Sequence, residues 1–89
     1  MALFTLGNVV ATPAALRFCQ QHNINPLLLI GRHIAGDWGD LDAADVAANM
    51  HGVQHDLRIF SSYTYAAGKV WVITEVDRSS TCILLPDEY

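Results

Sequence analysis

Titratable and nucleophilic side chains are sparse in this chain, with nine carboxylates, five Lys and Arg, four histidines and two cysteines among 89 residues. The densest polar stretch is His33-Ile34-Ala35-Gly36-Asp37-Trp38-Gly39-Asp40-Leu41-Asp42. A helix continuing through Gly36 would put His33 and Asp37 on one face, because residues four apart are neighbours there. Asp37, Asp40, Asp42 and Asp45 have the charge for calcium. A calcium loop, however, needs alternating ligands, a central glycine and a terminal bidentate glutamate, and that order is absent. Gly36 and Gly39 therefore read as turn residues, and Asp40 or Asp42 as a helix cap. Two metal-like spacings remain, Cys19 with His22 and His51 with His55. The second is discounted because Gly52 is expected to break the helix between its histidines. A structural zinc takes four protein ligands, so neither a metal site nor a cofactor is expected.

A second polar group follows in the C-terminal half. Arg58, Glu75 and Thr81 fall near one end of an antiparallel meander, and with His33 they form a candidate acid–base set for a phosphodiester or sugar bond. That is the reading of a small nuclease- or transferase-like enzyme, and it requires all four side chains to line one cleft. The commoner role of such an Arg–Glu pair is a cross-strand ion pair that fixes register. A glycine-rich phosphate loop, a Gly-x-Ser-x-Gly elbow and a cysteine in an electropositive setting are all absent from the sequence. The balance leans away from an enzyme.

The elements that must position these residues are legible in outline. Thr12-Pro13 starts a helix that fades near His22-Asn23, and Asn25-Pro26 starts another from Leu27 to Ala35, with Gly36 as a left-handed stop. Asp42 caps a third helix that runs towards Met50 and ends at Gly52. Arg58 to Tyr65, Lys69 to Asp77, and Thr81 to Leu85 are rich in β-branched and aromatic residues and predict strands. Ala66-Ala67-Gly68 fits a hairpin link with a left-handed residue. Leu3 to Val10 offers a further edge strand, weakened by Gly7-Asn8. The predicted fold is one α+β domain over residues 1–89, with about three N-terminal helices packed on a three-stranded antiparallel sheet. Alternation puts Val70, Val72 and Thr74 on one face of the second strand, and Trp71, Ile73 and Glu75 on the other.

Composition narrows the function classes. The chain is 52% hydrophobic and only 16% charged, which excludes intrinsic disorder. The longest apolar runs are no longer than Leu27-Leu28-Leu29-Ile30, too short for a membrane span, and the N-terminus has no secretory pattern, so a cytoplasmic protein without membrane contact is expected. A net charge of −4 with Lys69 as the single lysine argues against direct nucleic-acid binding. Trp38, Tyr63 and Trp71, with Asp37 and Asp40 beside them, are candidate anchors for a protein partner, aromatic residues being enriched at interface hot spots. For each, core packing is the plainer role. The aromatic Trp71 face also suggests a two-fold homodimer.

Long words in the sequence carry a resemblance. Ala11-Thr12-Pro13, Arg32 to Gly39, Arg58 to Tyr63, Trp71 to Ser79, and Ile83 to Tyr89 resemble a small family of bacterial plasmid and prophage proteins, mostly uncharacterised. Some members carry a label borrowed from type I restriction subunits, although 89 residues cannot hold a methyltransferase fold. The chain departs from the family pattern at Val76 and Cys82, both packing positions. The resemblance implies a mobile-DNA setting rather than a reaction. The expectation is an accessory protein that binds a host or element-encoded protein, with anti-CRISPR or anti-restriction inhibition as its most concrete form.

Overall fold

Proline and a capping side chain start the first two helices. Thr12 accepts a hydrogen bond from the Ala15 N–H at 3.1 Å, and Pro13 opens α1 (Pro13–Gln21). Asn25 accepts from the Leu27 N–H at 3.0 Å, and Pro26 opens α2 (Pro26–Ile34). Proline costs nothing there, since its missing N–H would have no partner within the helix. Asp42 caps α3 (Ala43–His55), accepting from the Asp45 N–H at 2.8 Å. These features come from a computed structural model that describes residues 2–89. No helix among them is long and apolar enough to cross a membrane.

The strands are β1 (Asn8–Ala11), β2 (Ile59–Tyr65), β3 (Gly68–Thr74) and β4 (Ser80–Leu84), in the spatial order β1-β4-β3-β2. Strands β2, β3 and β4 form the expected antiparallel meander. Strand β1 then pairs in parallel with β4, Asn8 opposite Ser80 and Ala11 opposite Ile83. The α+β class holds, but the sheet is four-stranded and mixed where three antiparallel strands were expected. Gly7, which weakened the strand reading, is what admits β1. It takes φ +64°, and a Cβ there would collide with the carbonyl oxygens of Arg78 and Ser79. Gly68 likewise departs from expectation: it opens β3 opposite Tyr65 instead of sitting within the link.

Helices α1 and α2 bury one face of this sheet. Ala15 and Cys19 of α1 and Leu29 and Ile30 of α2 meet Tyr63, Val70, Val72 and Ile83 in one apolar core. Helix α3 does not join that layer and instead covers the outer edge of β2. The Asn49 amide donates to the Phe60 carbonyl at 2.6 Å and accepts from the Phe60 N–H at 3.0 Å, standing in for a neighbouring strand. Further along the same edge, the Ser62 N–H donates to the Trp38 carbonyl at 3.0 Å and the Asp40 N–H to the Ser62 carbonyl at 2.7 Å. An edge satisfied in this way cannot recruit another strand at those positions.

Helix α3 runs through Gly52 to His55, so the expected break does not occur. Gly52 is buried because the helix lies close to the start of β2, and a Cβ would sit 2.9 Å from Ile59 Cδ1 and 3.1 Å from the Arg58 carbonyl oxygen. The helix ends where Asp56 turns left-handed, at φ 55°. Arg78, in the turn between β3 and β4, locks that end. Its guanidinium donates to the carbonyls of Leu57 at 2.7 Å, Gly52 at 3.0 Å and Glu75 at 3.0 Å. Basic groups favour helix C-termini because the unpaired carbonyls there carry partial negative charge.

Two substitutions test this construction. We expect Gly7→Ala to cost about 2 kcal/mol through left-handed backbone strain, and Arg78→Ala to cost about 2 kcal/mol through loss of charged hydrogen bonds. Urea denaturation midpoints measure both, and an unchanged midpoint would refute the role assigned to that residue.

Candidate functional site

His33 is the only histidine drawn into the core, and it is fully buried. The last turn of α2 aims it at the sheet, where Nδ1 lies 2.6 Å from Ser61 Oγ and Nε2 lies 2.9 Å from Thr74 Oγ1. Thr74 Oγ1 is 2.7 Å from Thr81 Oγ1, and the Thr81 hydroxyl donates to the Leu6 carbonyl at 2.8 Å. A hydroxyl has one proton to give. Thr81 spends its own on Leu6, so it accepts from Thr74, and Thr74 accepts from Nε2–H of the imidazole. His33 is therefore neutral with its proton on Nε2, and Nδ1 accepts from Ser61. Burial pushes the imidazole pKa down to about 4. Phe4 meets the ring edge-on, with centroids 5.2 Å apart.

The four residues of the enzyme reading do not share a cleft. His33 and Thr81 belong to the buried chain on the helical face of the sheet. Arg58 lies towards the other face, where its guanidinium donates to the Tyr89 hydroxyl and rests 5.3 Å from that ring's centre. Glu75 follows Thr74 and by alternation points away from His33. The β2–β3 ladder ends at Ile59 opposite Thr74, which leaves Arg58 and Glu75 as the next residue on each strand's path, both beyond the paired positions. Arg32–Asp37 is the only ion pair among the described residues, so the expected cross-strand pair does not form. Asp37 does not share a helix face with His33 either, because α2 stops at Ile34. The hydrogen bond from Arg32, at 2.7 Å, holds the Asp37 carboxyl below its usual value.

The candidate partner-binding residues have unequal access to solvent. Tyr63 is 1% exposed; its hydroxyl donates to the Asp37 carbonyl at 2.7 Å, and burial raises its pKa to about 12. Trp38 is 8% exposed and covers the core as the plainer reading had it. Asp37 and Asp40 remain exposed on the loop, and Trp71 is half-buried.

Two clefts flank α3. One, of about 200 Å³, is lined by Asp45, Arg58, Phe60, Trp71, Ile73 and Tyr89. Its aromatic wall is self-packed, Trp71 meeting Phe60 edge-on at 4.9 Å and Tyr89 at 5.8 Å between centroids. The face that suggested a homodimer is thus partly covered by the chain's own C-terminal residue. The other cleft, of about 170 Å³, is lined by Leu3, Trp38, Met50, Val53 and Gln54. Leu3 is 41% and Met50 57% exposed at its rim. The Trp38 indole N–H is the one buried side-chain polar group among the described residues without a hydrogen-bond partner.

Sequence reasoning overlooked Met50, Val53 and Leu3, and it did not assign Ser61 and Thr74 to His33. A signal for the second omission was present. Ser61 between Ile59 and Tyr63, and Thr74 after Val70 and Val72, are polar residues at positions of a buried, alternating apolar face.

A depressed histidine pKa makes stability pH-dependent. Between about pH 6.5 and 4 the unfolded chain binds a proton at this residue that the folded chain does not. The His33 contribution is complete above about 6.5 and is lost as pH falls towards 4, amounting to ~3 kcal/mol across that window. We expect the wild-type Tm to drop from pH 7 to pH 4.5. His33→Leu should be less stable at pH 7, because Ser61 and Thr74 lose their partner, and its profile over that interval should be flatter. Parallel profiles for the two proteins would refute the assignment.

Comparison of the chain with protein-family models, curated proteins and solved structures found no match.

Proposed function

We propose that this domain works by binding another protein, with the groove of Leu3, Trp38, Met50 and Val53 receiving an apolar side chain of the partner. The observation that carries the reading is the composition of that groove. Its lining is four apolar side chains and Gln54, without a charged group, and two of the apolar residues stand open to solvent. Burying such a surface is favourable at about 25 cal/mol per Å². Nucleic acid is a poor candidate occupant for an uncharged groove on a chain of net charge −4.

The enzyme reading receives no comparable support, because its four residues divide between two faces of the sheet. In the mobile-element setting implied by the sequence resemblance, the partner is a host or element-encoded protein. Inhibition of a CRISPR or restriction system is then the concrete form of the activity.

The test is capture from host lysate by tagged wild type, Met50→Asp, Leu3→Asp and Glu75→Ala, each first shown to be folded by circular dichroism. We expect a stoichiometric partner with wild type and Glu75→Ala that is lost with both groove variants. Identical capture by all four proteins would overturn the groove assignment. Self-association of wild type, abolished by Met50→Asp, would show the occupant to be a second copy and overturn the proposal of a different protein.

A further inference from the structure

His51 and His55 stand one turn apart on α3, both exposed, with ring centroids 4.3 Å apart and ring planes inclined at 42°. They can share a face because the helix continues through Gly52, whose missing side chain lets it lie against β2 without breaking. Asn49 and Gly52 are the buried residues of α3, so the helix turns a different side to the sheet from the one that carries the imidazoles. Ala44, Ala47 and Ala48, also exposed, precede them and carry no side chain long enough to compete for a ligand.

We propose that His51 and His55 form a two-imidazole site for a late first-row divalent transition metal. Two imidazole nitrogens bound to one ion at about 2.0–2.1 Å lie about 3 Å apart. Rings whose centres are 4.3 Å apart reach that separation by side-chain rotation alone, with the backbone of α3 unchanged. Nitrogen donors select copper, nickel or zinc over magnesium and calcium, which prefer oxygen, and the general affinity order puts Cu²⁺ first. No group of three or more His, Cys, Asp or Glu side chains gathers among the described residues. Water therefore completes the coordination, and the site stays open to a further ligand. A paired helical site also links two successive turns, so the ion stabilises the last part of α3 when it binds.

The experiment titrates wild type, His51→Ala, His55→Ala and His22→Ala with CuCl2 and separately with ZnCl2. Binding is read by calorimetry and by imidazole NMR signals, and thermal unfolding is followed with and without metal. Both variants of the pair remove an exposed side chain in favour of a better helix former, so their metal-free Tm should stay at or slightly above that of wild type. We expect one saturable equivalent of Cu²⁺, tighter than Zn²⁺, for wild type and His22→Ala, with the His51 and His55 signals perturbed together and Tm raised. Both effects should be lost in His51→Ala and in His55→Ala. Saturable binding that survives either substitution, or the absence of binding by wild type at excess metal, would overturn the site.

Discussion

A chain of hydrogen bonds through the core constrains the rest of this molecule. It begins at Ser61 on β2, passes through the His33 imidazole at the end of α2, continues to Thr74 on β3 and Thr81 on β4, and ends at the Leu6 carbonyl. The links from Ser61 to Thr81 are buried and the last, to Leu6, is part-buried, and an unpaired polar group in the core costs more than a made hydrogen bond gains. The chain can therefore be satisfied in only one arrangement of these segments. It fixes the tautomer of His33, the relation of α2 to the sheet, and the path of the N-terminal segment before β1. Apolar packing of Leu29, Ile30, Val70, Val72 and Ile83 supplies burial beside it, but apolar contacts alone would tolerate sliding that the polar chain does not.

With α1 and α2 occupied on that face, α3 is left to serve the outer edge of β2. It is bonded there through Asn49 and by the Arg78 guanidinium at its C-terminal end. A helix placed at an edge cannot bury a full apolar stripe, and most of α3 stays in contact with water. The two clefts on its flanks and the imidazole pair on its outer side follow from this placement. Both clefts and the imidazole pair thus lie around α3, while His33 and Thr81, two of the residues that look chemical in the sequence, are used to hold the sheet together.

Arg58 and Tyr89 show how an expected ion pair gives way to another contact. Arg58 and Glu75 lie just beyond the Ile59–Thr74 end of the β2–β3 ladder, and the guanidinium bonds to the Tyr89 hydroxyl and lies near that ring. An exposed ion pair contributes little, since both charges are well solvated. An aromatic ring close by offers the cation dispersion and quadrupole attraction at small loss of hydration.

Much of the secondary structure is written in local chemistry. The caps at Thr12, Asn25 and Asp42, the prolines after the first two, and the alternation in β2 and β3 depend on residues a few positions apart, so their meaning survives without a tertiary context. The polar interruptions at Ser61 and Thr74 likewise mark a buried partner from the sequence alone, though not which one. Tertiary structure decided what depends on distant neighbours. Gly52 can equally break a helix or bring it close to a strand, and only Ile59 and Arg58 across the contact select the second. Gly7 can equally weaken a strand or admit it, and only the carbonyls of Arg78 and Ser79 show which. Tyr63 can equally anchor a partner or fill a core, and only the fold shows it buried with its hydroxyl bonded to the Asp37 carbonyl. A residue's type limits the interactions it can make, but the partner it meets is set by chain segments far away in sequence, and that information exists only once the chain has folded.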